Sequence, residues 1–290
     1  MQTKFKVVNH NMSWIIRLIK GVVIALGFIL PGVSGGVLAA ILGIYERMLS
    51  FLAHIRRNFK ADFLYFLPVG IGGILGIGLL SRPLEFLLAH YQVIVLWGFA
   101  GAIVGSLPAL WQEAESRSKR DKVDWTWLIG TFVISLIILY TLPYIFGTLP
   151  ANFATFILAG ALIALGVLVP GLSPSNLLLI LGLYSPMLTG FKNFDLVNVF
   201  LPIAIGGILA MLLFAKTMEH LLETQHSRVF HFILGIVAAS TVLILVPNHQ
   251  SAESISYAGS GVLTFVLAAI FTVLGLWLGL WMSRLEERYK

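Results

Sequence analysis

The fold is decided by a stretch that occurs twice: Ala25 to Leu49 reads ALGFILPGVSGGVLAAILGIYERML, and Ala164 to Leu188 reads ALGVLVPGLSPSNLLLILGLYSPML. Thirteen of these 25 aligned positions are identical. In each copy a Pro-Gly-x-Ser sequence lies between two apolar stretches. Proline ends a helix, because it has no backbone N–H and its ring clashes with the preceding turn. Each copy therefore predicts two helices joined at a Pro-Gly break.

The similarity continues beyond this motif after a five-residue shift in the alignment. Residues 67–75 and 201–209 both read Leu-Pro-x-x-Ile-Gly-Gly-Ile-Leu. The same offset aligns further pairs of residues, Glu85 with Glu219 and Gly101 with Gly235. Shared apolar composition would give scattered leucine matches, whereas it would not align several motifs in one order. The chain is therefore predicted to contain two repeats.

The composition is that of an integral membrane protein. Apolar residues make up 58% of the 290 positions and charged residues 11%, against roughly 25% charged in soluble domains. The mean hydropathy is +0.94. A soluble fold of this size would expose large apolar patches, so soluble enzymes, extracellular modules and nucleic-acid binders are excluded. The absence of cysteine excludes disulfides, thiolate metal sites and cysteine nucleophiles.

Apolar stretches alternate with short polar segments along the whole chain. They cover about 14–30, 37–52, 63–80, 92–110, 125–146, 153–169, 176–191, 197–214, 229–246 and 260–282. A transmembrane helix needs about 20 apolar residues. The stretches that flank the two Pro-Gly breaks are short for a full span and come in pairs.

Basic residues distinguish two topologies. If each pair is a hairpin that returns to its starting side and the N-terminus is cytoplasmic, 17 Lys and Arg residues lie inside and two, Arg82 and Lys192, lie outside. If each pair is instead one kinked span, the division is 10 to 9. The positive-inside rule favours hairpins. The loop 111–124 and both termini are then cytoplasmic.

Three crossings separate the two hairpins, so the second repeat is predicted to be inverted relative to the first. The prediction is an all-α polytopic membrane protein with one membrane domain over residues 1–290. Repeat one covers about 14–146 and repeat two about 153–282. Each repeat consists of a Pro-Gly-broken hairpin and three transmembrane helices. The shortness of the arms favours re-entrant hairpins whose tips meet near the midplane, as in secondary transporters.

The hairpin tips are suited to an anion. Ser34 and Ser173 are natural N-caps for the second arms, whose first amides lack intrahelical partners and carry the positive end of the helix dipole. Small residues would allow a phosphate to approach the backbone. Alternatively, these serines only cap helices and the glycines only pack them. The candidate phosphate-binding residues are Pro31, Gly32, Ser34, Gly35, Gly36, Pro170, Gly171, Ser173, Ser175 and Asn176.

A few charged residues are weaker candidates. In the alignment Arg82 and Glu85 match Lys216 and Glu219, and these could bind a head group or couple transport, or serve as interfacial anchors. Glu46 and Arg47 are expected to form a neighbouring pair at the inner end of a hairpin arm. The histidines are expected at interfaces or in loops, and none has metal-ligand spacing. The residues therefore predict no catalytic group, no metal and no cofactor, and the chain lacks nucleotide-binding and hydrolase motifs.

The doubled motif resembles the DUF368 family of bacterial membrane proteins. The resemblance rests on PGVSGG and PGLSPSN, each followed by Leu-Gly-x-Tyr, and on the LPxxIGGIL sequences. It covers about residues 14–282. The family is assigned as polyprenyl-phosphate transporters, which implies a transporter of the bacterial plasma membrane rather than an enzyme. The implied substrate is undecaprenyl phosphate, recycled from the outer to the inner leaflet. The implied partners are this lipid and the bilayer, with no nucleic acid and no assigned oligomeric partner.

Two alternative functions remain at the level of sequence. Membrane-embedded undecaprenyl pyrophosphate phosphatases use inverted re-entrant repeats and a related Pro-Gly-x-Ser motif, but in those enzymes arginine follows the serine. Here Gly35 follows Ser34, and Pro174 follows Ser173. The second alternative is a transporter of another small anion.

Overall fold

Helices form the regular structure of the chain. The computed structural model describes residues 10–30, 35, 38–39, 42, 44, 47–48, 51, 59–117, 119–146, 149–168, 174–250 and 254–289. Within these residues the α-helices are α1 (His10–Ile29), α2 (Phe59–Glu115), α3 (Lys122–Phe146), α4 (Phe153–Leu168), α5 (Ser175–Ile180), α6 (Tyr184–Lys192), α7 (Leu201–Thr224), α8 (His226–Leu243) and α9 (Val262–Tyr289), with a π-helical turn at Leu196–Phe200.

The prediction of an all-α polytopic membrane protein is confirmed. In the part of the chain that the structure describes, five helical stretches are long and apolar enough to cross a membrane. They are Phe59–Glu115, Lys122–Ile145, Leu196–Phe214, His226–Leu243 and Val262–Arg284. Their large apolar side chains are extensively exposed, for example Val262 and Ile145, as expected for helices that face lipid.

Helix α2 consists of two parts that meet at Tyr91, where the backbone is not helical (φ −133°, ψ 36°). We call residues 59–90 α2a and residues 92–115 α2b. The apolar stretches 63–80 and 92–110 leave residues 81–91 between them, and the helix continues through this segment to residue 90. The junction between α7 and α8 has nearly the same conformation, at Gln225 (φ −135°, ψ 40°). Tyr91 and Gln225 are equivalent positions in the sequence alignment of the two halves.

The connection between α2b and α3 is shorter than the predicted loop 111–124. Helix α2b continues to Glu115, and α3 begins at Lys122. The start of α3 is fixed by a reciprocal cap, in which the backbone N–H of Asp121 donates to Asp124 and the N–H of Asp124 donates to Asp121 (3.0 and 2.8 Å). This cap holds Asp124 in the first turn of α3.

Glycines allow the first helix of each half to cross a later helix at very short range. A Cβ atom on Gly21 would overlap the carbonyl oxygen of Val69, and one on Gly72 would overlap that of Leu18. The second half has the equivalent crossing of α4 and α7. There a Cβ atom on Gly160 would overlap the carbonyl oxygen of Ile203, and one on Gly206 that of Ile157. The backbones can approach this closely only because these glycines have no side chain.

The last helix of each half packs against the other half. A Cβ atom on Gly101 in α2b would overlap the carbonyl oxygen of Thr272 in α9. Its aligned residue in α8, Gly235, meets α3 in the same way, with the Leu128 carbonyl oxygen 2.7 Å from a Cβ atom. Helices α3 and α9 are therefore exchanged between the halves.

Helices α5 and α6 lie at the centre of the core. Among the described residues, several that are completely buried belong to α5, α6 and the turn between them, namely Leu178, Leu183, Tyr184, Met187 and Leu188. Non-helical backbone inside a membrane protein must be shielded from lipid, because its polar groups find no partners in hydrocarbon. The surrounding helices provide this shielding for the interrupted segment 181–183.

Candidate functional site

The hairpin tips are described only in part. Of the candidate phosphate-binding residues, Gly35 and Ser175 are described, and the backbone of Asn176 lies within α5. The others lie outside the described residues, namely Pro31, Gly32, Ser34, Gly36, Pro170, Gly171 and Ser173. The side chain of Asn176 is likewise outside the described part.

The described parts of the two tips meet at the end of α1. The hydroxyl of Ser175, which is completely buried, donates a hydrogen bond to the carbonyl oxygen of Phe28 (3.3 Å). The hydroxyl of Tyr184 donates one to the carbonyl oxygen of Ile29. Helix α1 ends at Ile29, because the residue before a proline avoids the helical conformation. The last carbonyls of a helix have no intrahelical donor, so Ser175 and Tyr184 supply donors for two of them.

Phe28 also contacts Gly35, which is buried. A Cβ atom on Gly35 would lie 3.2 Å from the edge of the Phe28 ring. The space beside this glycine is therefore filled by an aromatic side chain. Phe28 thus touches the residue that follows Ser34 with its ring and the residue two after Ser173 with its carbonyl oxygen.

The helix that begins at the second tip is shorter than predicted. Helix α5 starts at Ser175 with Pro174 at the N-cap position, one residue later than expected, and it ends at Ile180. Gly182 (φ 72°) ends it, with N–H bonds from Leu183 to Leu178 and from Gly182 to Leu179 (2.9 and 3.1 Å). This is a Schellman motif, in which glycine adopts the left-handed conformation at low cost.

The first half contains the matching hydrogen bonds. The N–H of Leu42 donates to Leu38, and the N–H of Ile44 donates to Ala39 (3.0 and 2.8 Å). In the second half the aligned bonds run from Leu181 to Leu177 and from Leu183 to Leu178, both 2.9 Å. The repeated Leu-Gly-x-Tyr sequence is the signal for these matching bonds.

Arg47 pairs with a different carboxylate from the one expected. Its Nε and Nη2 atoms donate to Oδ1 of Asp62 (2.9 and 2.8 Å), and its guanidinium lies over the Tyr65 ring, 3.8 Å from the centroid. Glu46, the predicted neighbour in this pair, lies outside the described residues. Arg47 therefore ties the end of the first hairpin to the start of α2a.

Glu85 joins α2a to the end of the second hairpin. Its Oε2 atom lies 2.5 Å from Nζ of Lys192, and its Oε1 atom accepts a hydrogen bond from Thr189 (2.7 Å). Arg82, one turn earlier on the same helix, is exposed. The aligned residues Lys216 and Glu219 lie in α7, with side chains outside the described part.

A buried polar cluster that no local sequence pattern indicates joins the two halves at the other end of the helices. Ser227 donates to Asp124 (2.8 Å), and Arg120 Nε donates to Nε2 of His231 (2.8 Å). His231 is completely buried, and its Nδ1 lies 2.7 Å from the carbonyl oxygen of Ser227. These two contacts match the tautomer of His231 in which Nδ1 donates and Nε2 accepts.

Two further contacts complete this cluster. The Arg120 guanidinium lies over the Trp111 ring, 3.7 Å from the centroid. His226, also buried, has Nε2 2.9 Å from the carbonyl oxygen of Glu113. Two histidines that were expected at interfaces or in loops, His226 and His231, are therefore buried. So is Asp124, at the end of the charged run 111–124 that was expected in solvent. Among the described residues, no three His, Asp or Glu side chains are grouped so as to hold a metal ion.

Comparison with known proteins identifies the family. Residues 1–124 and 118–262 match the model of a family described as "VCA0040-like: Undecaprenyl phosphate translocase-like". A protein of Vibrio cholerae named polyprenyl-phosphate transporter is 26% identical over 243 residues, covering 79% of this chain and 77% of its own. A Staphylococcus aureus protein of the same name is 26% identical over 245 residues, covering 80% and 86%. No solved structure matches significantly. The chain is thus a multi-pass membrane protein that belongs to the VCA0040-like, undecaprenyl phosphate translocase-like family.

Proposed function

We propose that this protein is a transporter that returns undecaprenyl phosphate from the outer to the inner leaflet of the bacterial plasma membrane. The observation that carries the proposal is the meeting of the two hairpins at Phe28. Gly35, the residue after Ser34, lies against the Phe28 ring. Ser175, two residues after Ser173, donates a hydrogen bond to the Phe28 carbonyl oxygen. The names of the two relatives agree with a polyprenyl phosphate as the substrate.

The physical problem of such a transporter is the head group. A bare phosphate cannot enter hydrocarbon, because an unpaired buried charge is too costly, whereas the prenyl tail can remain in lipid. Backbone amides and hydroxyls at the two tips would replace the water around the phosphate. Such a site has no formal positive charge in the motif residues, so it can also release the phosphate.

Two contacts support hairpins that return to their starting side. If each Pro-Gly pair were a single kinked span, Glu85 and Lys192 would lie on opposite sides of the membrane, and so would Arg120 and His231. Both pairs are in direct contact. With hairpins, each pair falls on one side: Glu85 and Lys192 outside, Arg120 and His231 inside with both termini.

The repeated local geometry supports two equivalent halves, inverted because three crossings separate the hairpins. The junctions at Tyr91 and Gln225 and the glycine crossings at Gly72 and Gly206 occur at aligned positions. Inverted repeats allow the phosphate-binding site to open to each leaflet in turn. In this mechanism Glu85 and its aligned residue Glu219 are the candidates for coupling to protons, and Arg82 and Lys216 for contact with the head group.

The test is a reconstitution assay. Purified protein in liposomes should move labelled undecaprenyl phosphate between leaflets, measured by access of a membrane-impermeant reagent to the head group. Release of inorganic phosphate from undecaprenyl pyrophosphate would instead identify a phosphatase. Movement of small anions without movement of the lipid would identify a different transporter.

A double variant tests the proposed site. Ser34→Ala with Ser173→Ala should reduce transport strongly, because each substitution removes a donor to the phosphate. The matched control is Ser256→Ala, an exposed serine in the segment that follows α8. If the double variant transports like the wild type, the serine hydroxyls are caps rather than ligands.

A further inference from the structure

The two basic residues that the charge distribution assigns to the outer face converge on one place in the fold. Arg82 is in α2a of the first half and Lys192 is the last residue of α6 in the second half. Lys192 contacts Glu85, which lies three residues after Arg82. Residues three apart on a helix lie on the same face, about 5–6 Å apart. Arg82 therefore lies on the same face of α2a as the ion pair between Glu85 and Lys192.

The contact between α2a and residues 189–194, which we call the seam, is well packed around these cations. The Phe194 ring fills the space beside Gly78, because a Cβ atom on Gly78 would overlap the ring. Thr189 donates to Glu85 at 2.7 Å. The ion pair itself is partly open, with 32% of the Lys192 side chain and 24% of the Glu85 side chain exposed. An arriving anion can therefore reach Lys192 without disrupting the packing of α2a against α6.

The state of the neighbouring charges favours an anion over a cation at this position. Lys192 is held by Glu85, and Arg82 has no ion pair or hydrogen bond with another described residue. The nearest further carboxylate in the sequence, Asp195, accepts hydrogen bonds from the backbone N–H and the side chain of Asn198 (2.9 and 3.1 Å). These bonds hold the pKa of Asp195 below its ordinary value. Its carboxylate is therefore engaged in capping the π-helical turn at Leu196–Phe200. Arg82 and Lys192 are thus two cations beside one carboxylate, Glu85, which can exchange its partner.

We infer that Arg82 and Lys192 form a receiving site for a phosphate monoester at the outer face, in which Glu85 holds Lys192 until the phosphate displaces it. This inference rests on the proposed function for the direction of travel and deepens it by naming the first contact of the head group. The ligand chemistry is a phosphate monoester dianion, carried either by a prenyl chain or by inorganic phosphate. Because Glu85 is already bound to Lys192, the arriving phosphate replaces one anion by another. This exchange limits the cost of removing water from Lys192.

The inference predicts opposite effects for neighbouring substitutions. Arg82→Gln should raise the outer-leaflet lipid concentration for half-maximal transport by about fivefold, as expected for one lost charge-assisted contact at a partly exposed site. Lys192→Gln should raise it further, because Glu85 is then left to repel the phosphate. Glu85→Gln should lower it by a similar factor, because Lys192 is freed while Thr189 keeps a hydrogen-bond acceptor.

The experiment uses the full-length protein in liposomes with polyprenyl phosphate added to the outer leaflet. Lys122→Gln, at the exposed start of α3 in the predicted inner loop, is the control and should leave the half-maximal concentration unchanged. Arg82→Lys should restore most of the wild-type value. A purely structural seam would make all three substitutions harmful in the same direction. That pattern, or an unchanged value in Arg82→Gln, would overturn the inference and leave the transport function intact.

A binding measurement separates the two proposals and the two sources of phosphate. Purified wild-type and Arg82→Gln proteins are titrated with inorganic phosphate and with a short prenyl phosphate. Weaker binding of the prenyl phosphate to Arg82→Gln supports the receiving site even if the wild type moves no lipid in liposomes, which would reject the proposed function alone. Equal binding by both proteins overturns the receiving site. Competition by inorganic phosphate at equal concentration would identify free phosphate as the ligand and overturn the lipid assignment.

Discussion

The hydroxyl of Tyr184 donates a hydrogen bond to the carbonyl oxygen of Ile29, a residue 155 positions earlier in the chain. The tyrosine is completely buried and begins α6 directly after the break at Gly182. The bond therefore fixes the start of α6 in the second half to the end of α1 in the first half.

Removal of this hydroxyl should destabilise the protein. In Tyr184→Phe the carbonyl of Ile29 loses a buried donor, which costs about 1–3 kcal/mol. We expect a lower thermal midpoint in detergent and slower transport. Tyr144→Phe, at an exposed position in α3, is the control and should change the midpoint little. Equal midpoints in the two variants would contradict a role of Tyr184 in joining the hairpins.

Two adjacent glycines should respond very differently to alanine. Gly72→Ala places a methyl group against the Leu18 carbonyl and should destabilise the protein by about 1–3 kcal/mol through overpacking. Gly73→Ala meets nothing within 4 Å and should be neutral or stabilising by up to about 1 kcal/mol, because glycine is a poor helix former. Thermal unfolding in detergent measures both. In the second half, Gly206→Ala and Gly207→Ala should repeat the contrast.

Gly182 should tolerate asparagine better than alanine. Its φ of 72° is in the left-handed region, which costs an alanine about 1–2 kcal/mol, while asparagine adopts it more readily. We expect Gly182→Ala to lower the thermal midpoint and Gly182→Asn to recover part of the loss. The order would be reversed, or absent, if the turn between α5 and α6 were not formed.

Arg120 and His231 should be energetically coupled. His231→Phe removes the acceptor of the Arg120 Nε–H and should cost about 1–3 kcal/mol, because this N–H loses its partner while Nη2 keeps its ion pair with Glu115. In an Arg120→Leu background the same substitution should cost about 1–3 kcal/mol less. A double-mutant cycle of unfolding free energies measures this difference. Additive effects would mean that the contact contributes nothing to stability.

The absence of native cysteine makes the topology directly testable. Lys119→Cys lies between α2b and α3, and Ser256→Cys lies between α8 and α9; both positions are exposed. With a membrane-impermeant thiol reagent, we expect labelling of Ser256→Cys in intact cells and of Lys119→Cys only after permeabilisation. The opposite pattern would invert the proposed orientation of the whole chain.

Much of the fold could be predicted, because its determinants are local and repeated. The apolar composition specified the membrane class, and Leu30-Pro31 specified the end of α1. The break at Gly182 was missed, because the surrounding residues 176–191 are continuously apolar and the Schellman bonds have no hydropathy signal. A glycine before Leu-Tyr in the second half and before Ile-Tyr in the first was the available clue.

The polar contacts could be predicted least, because they depend on how distant segments pack. The charged run 111–124 is typical of a solvated loop, yet Asp124 is buried against Ser227, 103 residues away. Likewise, Lys192 and Glu85 are 107 positions apart along the chain and have no local pattern that links them. The alignment paired Glu85 with Glu219. Such a match between repeats does not show which residue either glutamate contacts in the folded protein.

The exchange of α3 and α9 between the halves bears on how such a chain could have arisen. A chain of half this length would leave the glycine face of α2b at Gly101, or of α8 at Gly235, without the helix that covers it. A second copy could supply that helix, so the half would be complete only as a pair. Gene duplication would then have made permanent an association that the single half already required, and neither half could afterwards be lost or replaced alone.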